Sequence, residues 1–134
     1  MKNKPETVRY SQLVMPQDAN VLGTLFGGQM ISWMDLAAAK VSFRFLKDTE
    51  ARGAVTRAID EVEFKEPVFA GEWVTMNAAI ISVGDSSIKI EVEAFAEGPN
   101  SQNRLVCSAI ITMVSVIEES EGQFVKFDHN KSIE

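Results

Sequence analysis

The chain of 134 residues has an average globular composition, with 46% hydrophobic and 24% charged residues, which indicates one folded domain spanning residues 1–134. Its formal net charge of −6 and pI near 4.8 exclude the broad basic surface that nucleic-acid binding requires. Residues 1–10 lack a signal-peptide core and no run of 18 apolar residues follows, so we expect a cytoplasmic protein that does not span a membrane.

The first predicted elements are a strand and a long helix. Residues Thr7–Val14 are rich in β-branched and aromatic types and end before Pro16, which predicts a strand. A proline-free segment of helix-forming residues then runs from Gly27 or Gly28 to about Leu46 and predicts a helix of about 30 Å. Apolar residues at helical spacing mark its core-packing face: Met30, Trp33, Met34, Ala37 and Val41.

Asp35 is an acid among the apolar residues of this helix. It lies between Met34 and Leu36, and burial of an ionised carboxylate is costly unless the group is paired or hydrogen-bonded. Two interpretations are equally compatible with this position: a structural acid satisfied by a neighbour such as Ser32 or Trp33, and a functional acid.

The helix begins with two glycines, Gly27 and Gly28. Such a pair is typical of a loop that needs positive φ, but it also allows a ligand to approach the free N–H groups of the first helical turn. Asp35 follows Gly28 by seven residues and lies about 10 Å further along the helix. One small reacting group cannot contact both within a single chain, whereas a symmetric dimer can bring the acid of one protomer to the glycines of the other.

Short β-like runs dominate after Gly53, and turn residues separate them. Residues 84–86 and 98–101 are typical of tight turns, which favours antiparallel hairpins over helical crossovers. The unpaired edges of such a sheet favour oligomerisation, and the polar tail after Glu118 is expected to be partly loose. The predicted strands are Ala54–Phe64, Glu72–Val83, Ser87–Ala96 and Arg104–Ile117.

The sequence lacks the residues that several common catalytic and metal-binding sites require. The lone cysteine, Cys107, occupies an alternating apolar run and is interpreted as a small core residue, since the lone histidine, His129, lies far away in the polar tail. There is no Ser-His-acid triad, no paired-cysteine metal motif and no Walker-type loop. Acid, amide and backbone groups remain as the candidate chemistry.

The chain resembles the hotdog-fold acyl-CoA thioesterases, in particular the bacterial broad-specificity and brain-type cytosolic acyl-CoA hydrolases. The resemblance covers most of the chain in order and spacing. Its landmarks are Met15-Pro16, Asp18-Ala19-Asn20, Gly23, Phe26-Gly27-Gly28, Trp33-Met34-Asp35, Val55-Thr56, Phe64, Pro67-Val68 and Gly71.

The resemblance implies an α+β hotdog fold, in which an antiparallel sheet of five to six strands wraps around one long central helix. It also implies a homo-oligomer whose minimal active unit is a dimer, assembled as a trimer of dimers. The implied reaction is hydrolysis of acyl-CoA to a free acid and coenzyme A, with no metal and no cofactor, since coenzyme A is part of the substrate.

The resemblance also assigns roles to individual residues. Asp35 would be the general base or nucleophile, Asn20 would position water or substrate, and the Gly28 N–H would bind the carbonyl oxygen where charge develops. Asn20 and Asp35 would come from opposite protomers. Substrate contacts are implied for Phe26, Gly27, Thr56, Ser86 and Ser87.

Two positions depart from the family pattern, because Asp85 and Glu66 stand where relatives often carry basic residues. Either another cation among Arg57, Lys65, Lys89 and Arg104 compensates, or the affinity for coenzyme A is reduced or altered. This loss of positive charge motivates a second hypothesis, a noncatalytic acyl-CoA-binding or regulatory module. A third, a hydratase-like hotdog enzyme, would need a histidine beside an acid, which His129 is poorly placed to supply.

Overall fold

The computed structural model describes residues 2–3 and 6–133, with only the backbone described for residues 2 and 3. A 3-10 turn (Pro16–Asp18) precedes the helix α1 (Gly27–Phe45). The strands in this part of the chain are β1 (Lys2–Asn3), β2 (Thr7–Leu13), β3 (Gly53–Phe64), β4 (Trp73–Val83), β5 (Ser87–Gly98), β6 (Ser101–Ser120), β7 (Gln123–Lys126) and β8 (Ser132–Ile133).

The helix α1 has 19 residues and lies where the sequence predicts it. All five apolar residues of the predicted core-packing face are buried, and Ala38, Ser42 and Phe45 are buried with them. The helix ends at Phe45, whose carbonyl oxygen accepts a 2.7 Å hydrogen bond from Lys131 Nζ. A cation at this position interacts favourably with the negative end of the helix dipole.

The main sheet has six antiparallel strands in the order β2-β4-β5-β6-β3, with β7 paired to the far end of β6. A separate pair is formed by β1 and β8. All four strands predicted after Gly53 are present, with ends that differ by a few residues. The predicted arrangement of one helix against one antiparallel sheet is confirmed, with six strands in the sheet and a helix of 19 residues.

Strand β5 shows how the sheet and helix share one core. Ile88, Ile90 and Val92 are fully buried, whereas Lys89 and Glu91 between them are exposed. This alternation is the one that the sequence predicts for a strand with one buried and one wet face. Cys107 on β6 is also fully buried, and burial raises the pKa of its thiol. It is therefore an inert core residue, as expected.

The tail after Glu118 is more ordered than the sequence indicates. Residues Gln123–Lys126 pair with β6, and the His129 ring is buried with only 4% of the residue exposed. His129 packs edge-on against Phe45 at 5.3 Å between ring centroids, and its Nδ1 accepts the Lys131 N–H. The polar composition of the tail does not indicate this order, because the tail is held by backbone pairing with β6 and by the buried His129 ring.

Among the described residues, none of the helices meets the requirements for a membrane span.

A buried ion pair fixes the connection between β3 and β4. Glu72 is 6% exposed, and its two carboxylate oxygens accept hydrogen bonds of 2.8 and 3.0 Å from the Arg104 guanidinium. Glu72 also accepts the Phe69 N–H and the Ser101 hydroxyl. The Arg104 hydrogen bonds lower the pKa of Glu72 from 4.5 to about 2. Since both oxygens are satisfied, this pair is a structural clamp.

We expect Glu72→Gln to lower the free energy of unfolding at pH 7 by about 3 kcal/mol, because the lowered pKa of Glu72 corresponds to a stabilisation of about that size. Because the folded-state pKa is lowered, the wild-type contribution is complete above pH 4.5 and declines as the pH falls toward 2. Urea unfolding at fixed protein concentration from pH 7 to pH 3 measures this, with Glu97→Gln as the exposed control. Equal pH slopes for Glu72→Gln and the wild type would contradict the clamp.

Candidate active site

The first turn of α1 presents free backbone donors. Phe26 precedes the helix and makes no side-chain cap. Its own N–H donates to the Asp18 carbonyl at 3.0 Å, but the Gly27 and Gly28 N–H groups have no acceptor within the described residues. A Cβ added at Gly28 would meet no atom within 4 Å. The helix start is therefore open to a ligand at Gly28 and carries the positive end of the helix dipole.

Asp18 holds the preceding loop against this helix start. It is 8% exposed, and its Oδ2 accepts the Met15 N–H at 2.9 Å while its Oδ1 accepts Gln29 Nε2 at 2.8 Å. Asp18 is one of the landmarks of the family resemblance, which assigns it no role. Its position three residues after Met15, beside a proline-led turn, is a capping signal that would have identified this function.

Asn20 shapes the loop between Asp18 and the helix. Its Oδ1 accepts three hydrogen bonds, from the Leu22 N–H at 2.9 Å, the Thr24 N–H at 3.2 Å and the Thr24 hydroxyl at 3.1 Å. This is the turn role expected from local sequence. The same contacts fix the orientation of the amide, whose Nδ2 has no acceptor within the described residues. Asn20 therefore offers an oriented donor.

Asp35 is half-buried in the single chain, which corrects the expectation of an acid enclosed by apolar side chains. It lies at the border of the buried helix face, between the fully buried Met34 and the 54% exposed Leu36. The Thr56 hydroxyl of β3 donates a 2.7 Å hydrogen bond to Asp35 Oδ1. Oδ2 has no partner within residues 6–133. Thr56, expected to contact substrate, thus contacts the acid.

An apolar cleft of about 310 Å³ lies beside the helix start. The Phe64 ring packs so close to the backbone that a Cβ at Gly27 would be 3.3 Å from Phe64 Cζ. Phe26, which is 50% exposed, stands next to the same turn. The cleft reaches the buried core at Met30 and is lined by Thr24, Leu25, Gly27, Met30, Phe64, Lys65, Glu66, Pro67 and Val68.

The two predicted serine contacts hold a turn together. Ser87 Oγ accepts the Gly84 N–H at 3.0 Å, and the Ser86 carbonyl accepts the Ser115 N–H at 2.8 Å. Both serines therefore have the ordinary turn role that the sequence also allows. Within the described residues, no contact joins either serine to Asp35, Asn20 or Gly28.

The four basic residues that could bind the phosphates of coenzyme A differ in whether they already form ion pairs within the chain. Arg104 is bound to Glu72 and lies 3.4 Å from Glu66, and Lys65 pairs with Glu63 at 3.1 Å. Arg57 directly follows Thr56 at an irregularity of β3, is exposed, and forms no ion pair within the described part of the chain. Lys89 is exposed on β5. No cluster of three or more potential metal ligands occurs among residues 6–133.

Three comparisons place this geometry among known proteins. Residues 22–102 match the model of the "Thioesterase superfamily". An "uncharacterized acyl-CoA thioester hydrolase" of Haemophilus influenzae is 31% identical over 126 residues, covering 91% of this chain and 79% of that protein.

Two solved structures share the fold. An acyl-CoA hydrolase from Bacillus cereus superposes with a TM-score of 0.75 at 29% identity, covering 84% of this chain and 67% of that one. A hexameric thioesterase from Yersinia pestis superposes with a TM-score of 0.73 at 30% identity, covering 87% and 91%.

Proposed function

The chain belongs to the thioesterase superfamily, and from this premise we propose that it hydrolyses acyl-CoA thioesters to a carboxylic acid and coenzyme A. The observation that carries the proposal is a set of three polar groups that have no partner among residues 6–133: Asp35 Oδ2, Asn20 Nδ2 and the Gly28 N–H. They are an acid, an amide donor and a backbone donor. Acyl transfer from a thioester needs little more, because the thiolate leaves readily.

Each group has a proposed task. Asp35 acts as general base on water or as nucleophile toward the thioester carbonyl. The Gly28 N–H donates to the carbonyl oxygen and stabilises the negative charge that develops there. Asn20, whose amide is oriented by its three accepted hydrogen bonds, positions the water or the substrate. No cofactor is required for this chemistry.

The active unit is proposed to be a dimer. Asp35 follows Gly28 by seven positions along the helix, or about 10 Å, so one thioester cannot contact both groups in one chain. Among the described residues, strand β3, which carries Thr56, pairs only with β6 and has no strand on its other edge. Exposed apolar side chains occur along it, including Val55 at 52% and Phe64 at 56%. An isologous contact along this edge would bring Asp35 of one protomer toward Asn20 and Gly28 of the other.

The coenzyme A phosphates need a cation that is still available. Arg104 and Lys65 are neutralised by acids, whereas Arg57 is exposed beside the Thr56–Asp35 contact. We therefore assign the nucleotide end of the substrate to Arg57 rather than to Arg104, with Phe26 and Gly27 at the acyl end. The acyl chain occupies the apolar cleft that reaches Met30.

The alternative function, acyl-CoA binding without turnover, is favoured by Asp85 and Glu66, which replace basic residues of the family pattern. The two functions predict different outcomes with the same reagents. A binding module retains acyl-CoA intact, whereas a thioesterase releases a free thiol. The hydratase alternative loses support, because both His129 ring nitrogens are engaged by Lys131 and by the Ser87 carbonyl.

We expect Asp35→Ala to abolish thiol release from acyl-CoA while leaving the oligomer intact, because the variant lacks the carboxylate that activates water. A screen across short, medium and long acyl-CoAs with a thiol-reactive dye measures this, and sedimentation checks the assembly. Asp60→Ala, an exposed acid on β3, is the matched control. Equal turnover by Asp35→Ala and wild type would contradict the mechanism. Binding without thiol release by the wild type would favour the noncatalytic module.

Thr56→Val is expected to lower kcat about tenfold with little change in KM, because the 2.7 Å hydrogen bond orients Asp35 rather than the substrate. Thr56→Ser retains the hydroxyl and should restore most of the turnover. Steady-state kinetics on one acyl-CoA separate the two parameters. A rise in KM with kcat unchanged, or failure of serine to rescue, would assign Thr56 to substrate binding instead.

A shared site makes two inactive variants complement each other. Asn20→Ala and Asp35→Ala should each lack activity, and after subunit exchange the mixed dimers should regain part of it, because one of their two sites is intact. The expected recovery at equal mixing is about a quarter of the wild-type activity per protomer. Native mass spectrometry of isotope-labelled subunits verifies the exchange. No recovery despite verified exchange would contradict pairing across protomers.

A further inference from the structure

A second candidate surface lies where the C-terminal end of α1 meets the start of β3. The two elements border a pocket of about 190 Å³. Leu46 is buried in its wall, whereas Phe43, which also lines it, is 57% exposed. Two exposed cations, Lys47 and Arg52, line the same pocket. We call this surface the helix-end pocket.

The helix-end pocket combines an aromatic ring with positive charge. Lys47 and Arg52 form no ion pair within residues 6–133. The Lys40 ammonium, which also has no acid partner there, lies over the Phe43 ring at 5.5 Å from its centroid. An exposed ring stacks with planar bases, and unpaired lysine and arginine side chains bind phosphate oxygens. This combination indicates a ligand that carries both a base and a phosphate.

Two negative groups beside this pocket in the chain are held by Lys131. Its Nζ donates to the Phe45 carbonyl oxygen at the end of α1 and to Asp48 Oδ1, both at 2.7 Å. Glu50, the other acid of the loop after α1, does not line the pocket. An incoming phosphate is therefore attracted by Lys47 and its neighbouring cations, and no carboxylate in the pocket opposes it.

The packing of α1 against β3 connects the helix-end pocket with the candidate active site. At one end of this contact the Thr56 hydroxyl donates to Asp35, and at the other end Phe43 and Arg52 line the pocket. Phe43 follows Asp35 by eight helical positions, or about 12 Å. Arg52 precedes Thr56 by four positions, or about 13 Å in an extended chain. Both elements thus lead from the acid to the pocket over nearly the same distance.

We propose that the helix-end pocket binds the adenosine end of coenzyme A, with the base against Phe43 and the ribose phosphate at Lys47 and Arg52. The inference rests on the proposed function, which places the thioester at Asp35. It explains how a chain that carries acids at positions 66 and 85 can still hold a polyanionic substrate.

The length of coenzyme A fits this path. The arm between its sulfur and its first phosphate is about as long as four extended residues, or about 14 Å. It can therefore carry the diphosphate from the acid into the space between Arg57 and the pocket, whose Arg52 is five positions from Arg57. Arg57 then binds the diphosphate, and the pocket binds the base and the ribose phosphate beyond it.

The test measures the binding of coenzyme A by isothermal titration calorimetry and does not require turnover. The wild type is expected to bind coenzyme A at least about tenfold more tightly than dephospho-coenzyme A, which lacks the ribose phosphate. Lys47→Gln with Arg52→Gln should abolish this preference by weakening the binding of coenzyme A alone. Lys89→Gln with Lys126→Gln removes the same charge from two exposed cations elsewhere. This matched control should retain the preference.

Substitution of Phe43 tests the place of the base. Phe43→Ala should weaken the binding of both ligands about tenfold, because both contain the base. Phe43→Tyr keeps an aromatic ring and should bind both ligands nearly as tightly as the wild type.

Three results would overturn the proposal: equal wild-type affinities for the two ligands, a charge variant that keeps the preference, or unchanged binding by Phe43→Ala. The wild-type comparison decides even if a variant fails to fold, which circular dichroism reports. Thiol release from acyl-CoA is assayed separately. Turnover without the preference contradicts this pocket and leaves the proposed function standing, whereas the preference without turnover contradicts the proposed function alone.

Discussion

The hydrogen bond from the Thr56 hydroxyl to Asp35 joins the helix to the edge strand of the sheet, and the site depends on it. This contact, 2.7 Å long, takes one carboxylate oxygen and leaves the other free. It also places the acid where β3 has an unpaired edge. A carboxylate at such a border is close to any second copy that pairs along β3, so in the proposed dimer this one contact positions the acid both for its chemistry and for the partner protomer.

The remaining polar groups near the site fall into two sets. Asp18 and Glu72 are buried and satisfied on both oxygens by donors from the chain itself, as buried acids must be. Asn20, Gly28 and Asp35 each keep one polar group without a partner in the described part of the chain. The hydrogen-bonded carboxylates hold the loop and the helix start in place, and neither leaves a buried oxygen without a hydrogen-bond donor. The unsatisfied ones are those to which the proposed thioester chemistry assigns a task.

Much of this architecture could be predicted from the sequence, because the spacing of apolar residues and the positions of turn residues specify helices, strands and turns locally. The alternation of β5 and the apolar face of α1 correspond to the observed core. The environment of Asp35 could not be obtained in this way, since its exposure depends on where β3 passes the helix. The apolar neighbours of Asp35 along the chain suggest an enclosed acid, whereas Thr56, 21 residues later, donates a hydrogen bond to it. The anchoring of His129 depends on similar long-range contacts, with Phe45 and Ser87.

Charge distribution connects the departures from the family pattern with the choice of cation for the proposed substrate. Glu66 and Glu72 both approach Arg104, so this cation is committed to the fold. In a chain of net charge −6, acids outnumber bases, so a cation without an acid partner is of particular value for binding an anionic ligand. Arg57 directly follows Thr56, whose hydroxyl contacts Asp35, and it forms no ion pair among the described residues. A polyanionic substrate requires such an unpaired cation. Because acids already hold Arg104, the proposed substrate can bind at Arg57 without weakening the clamp between Glu72 and Arg104.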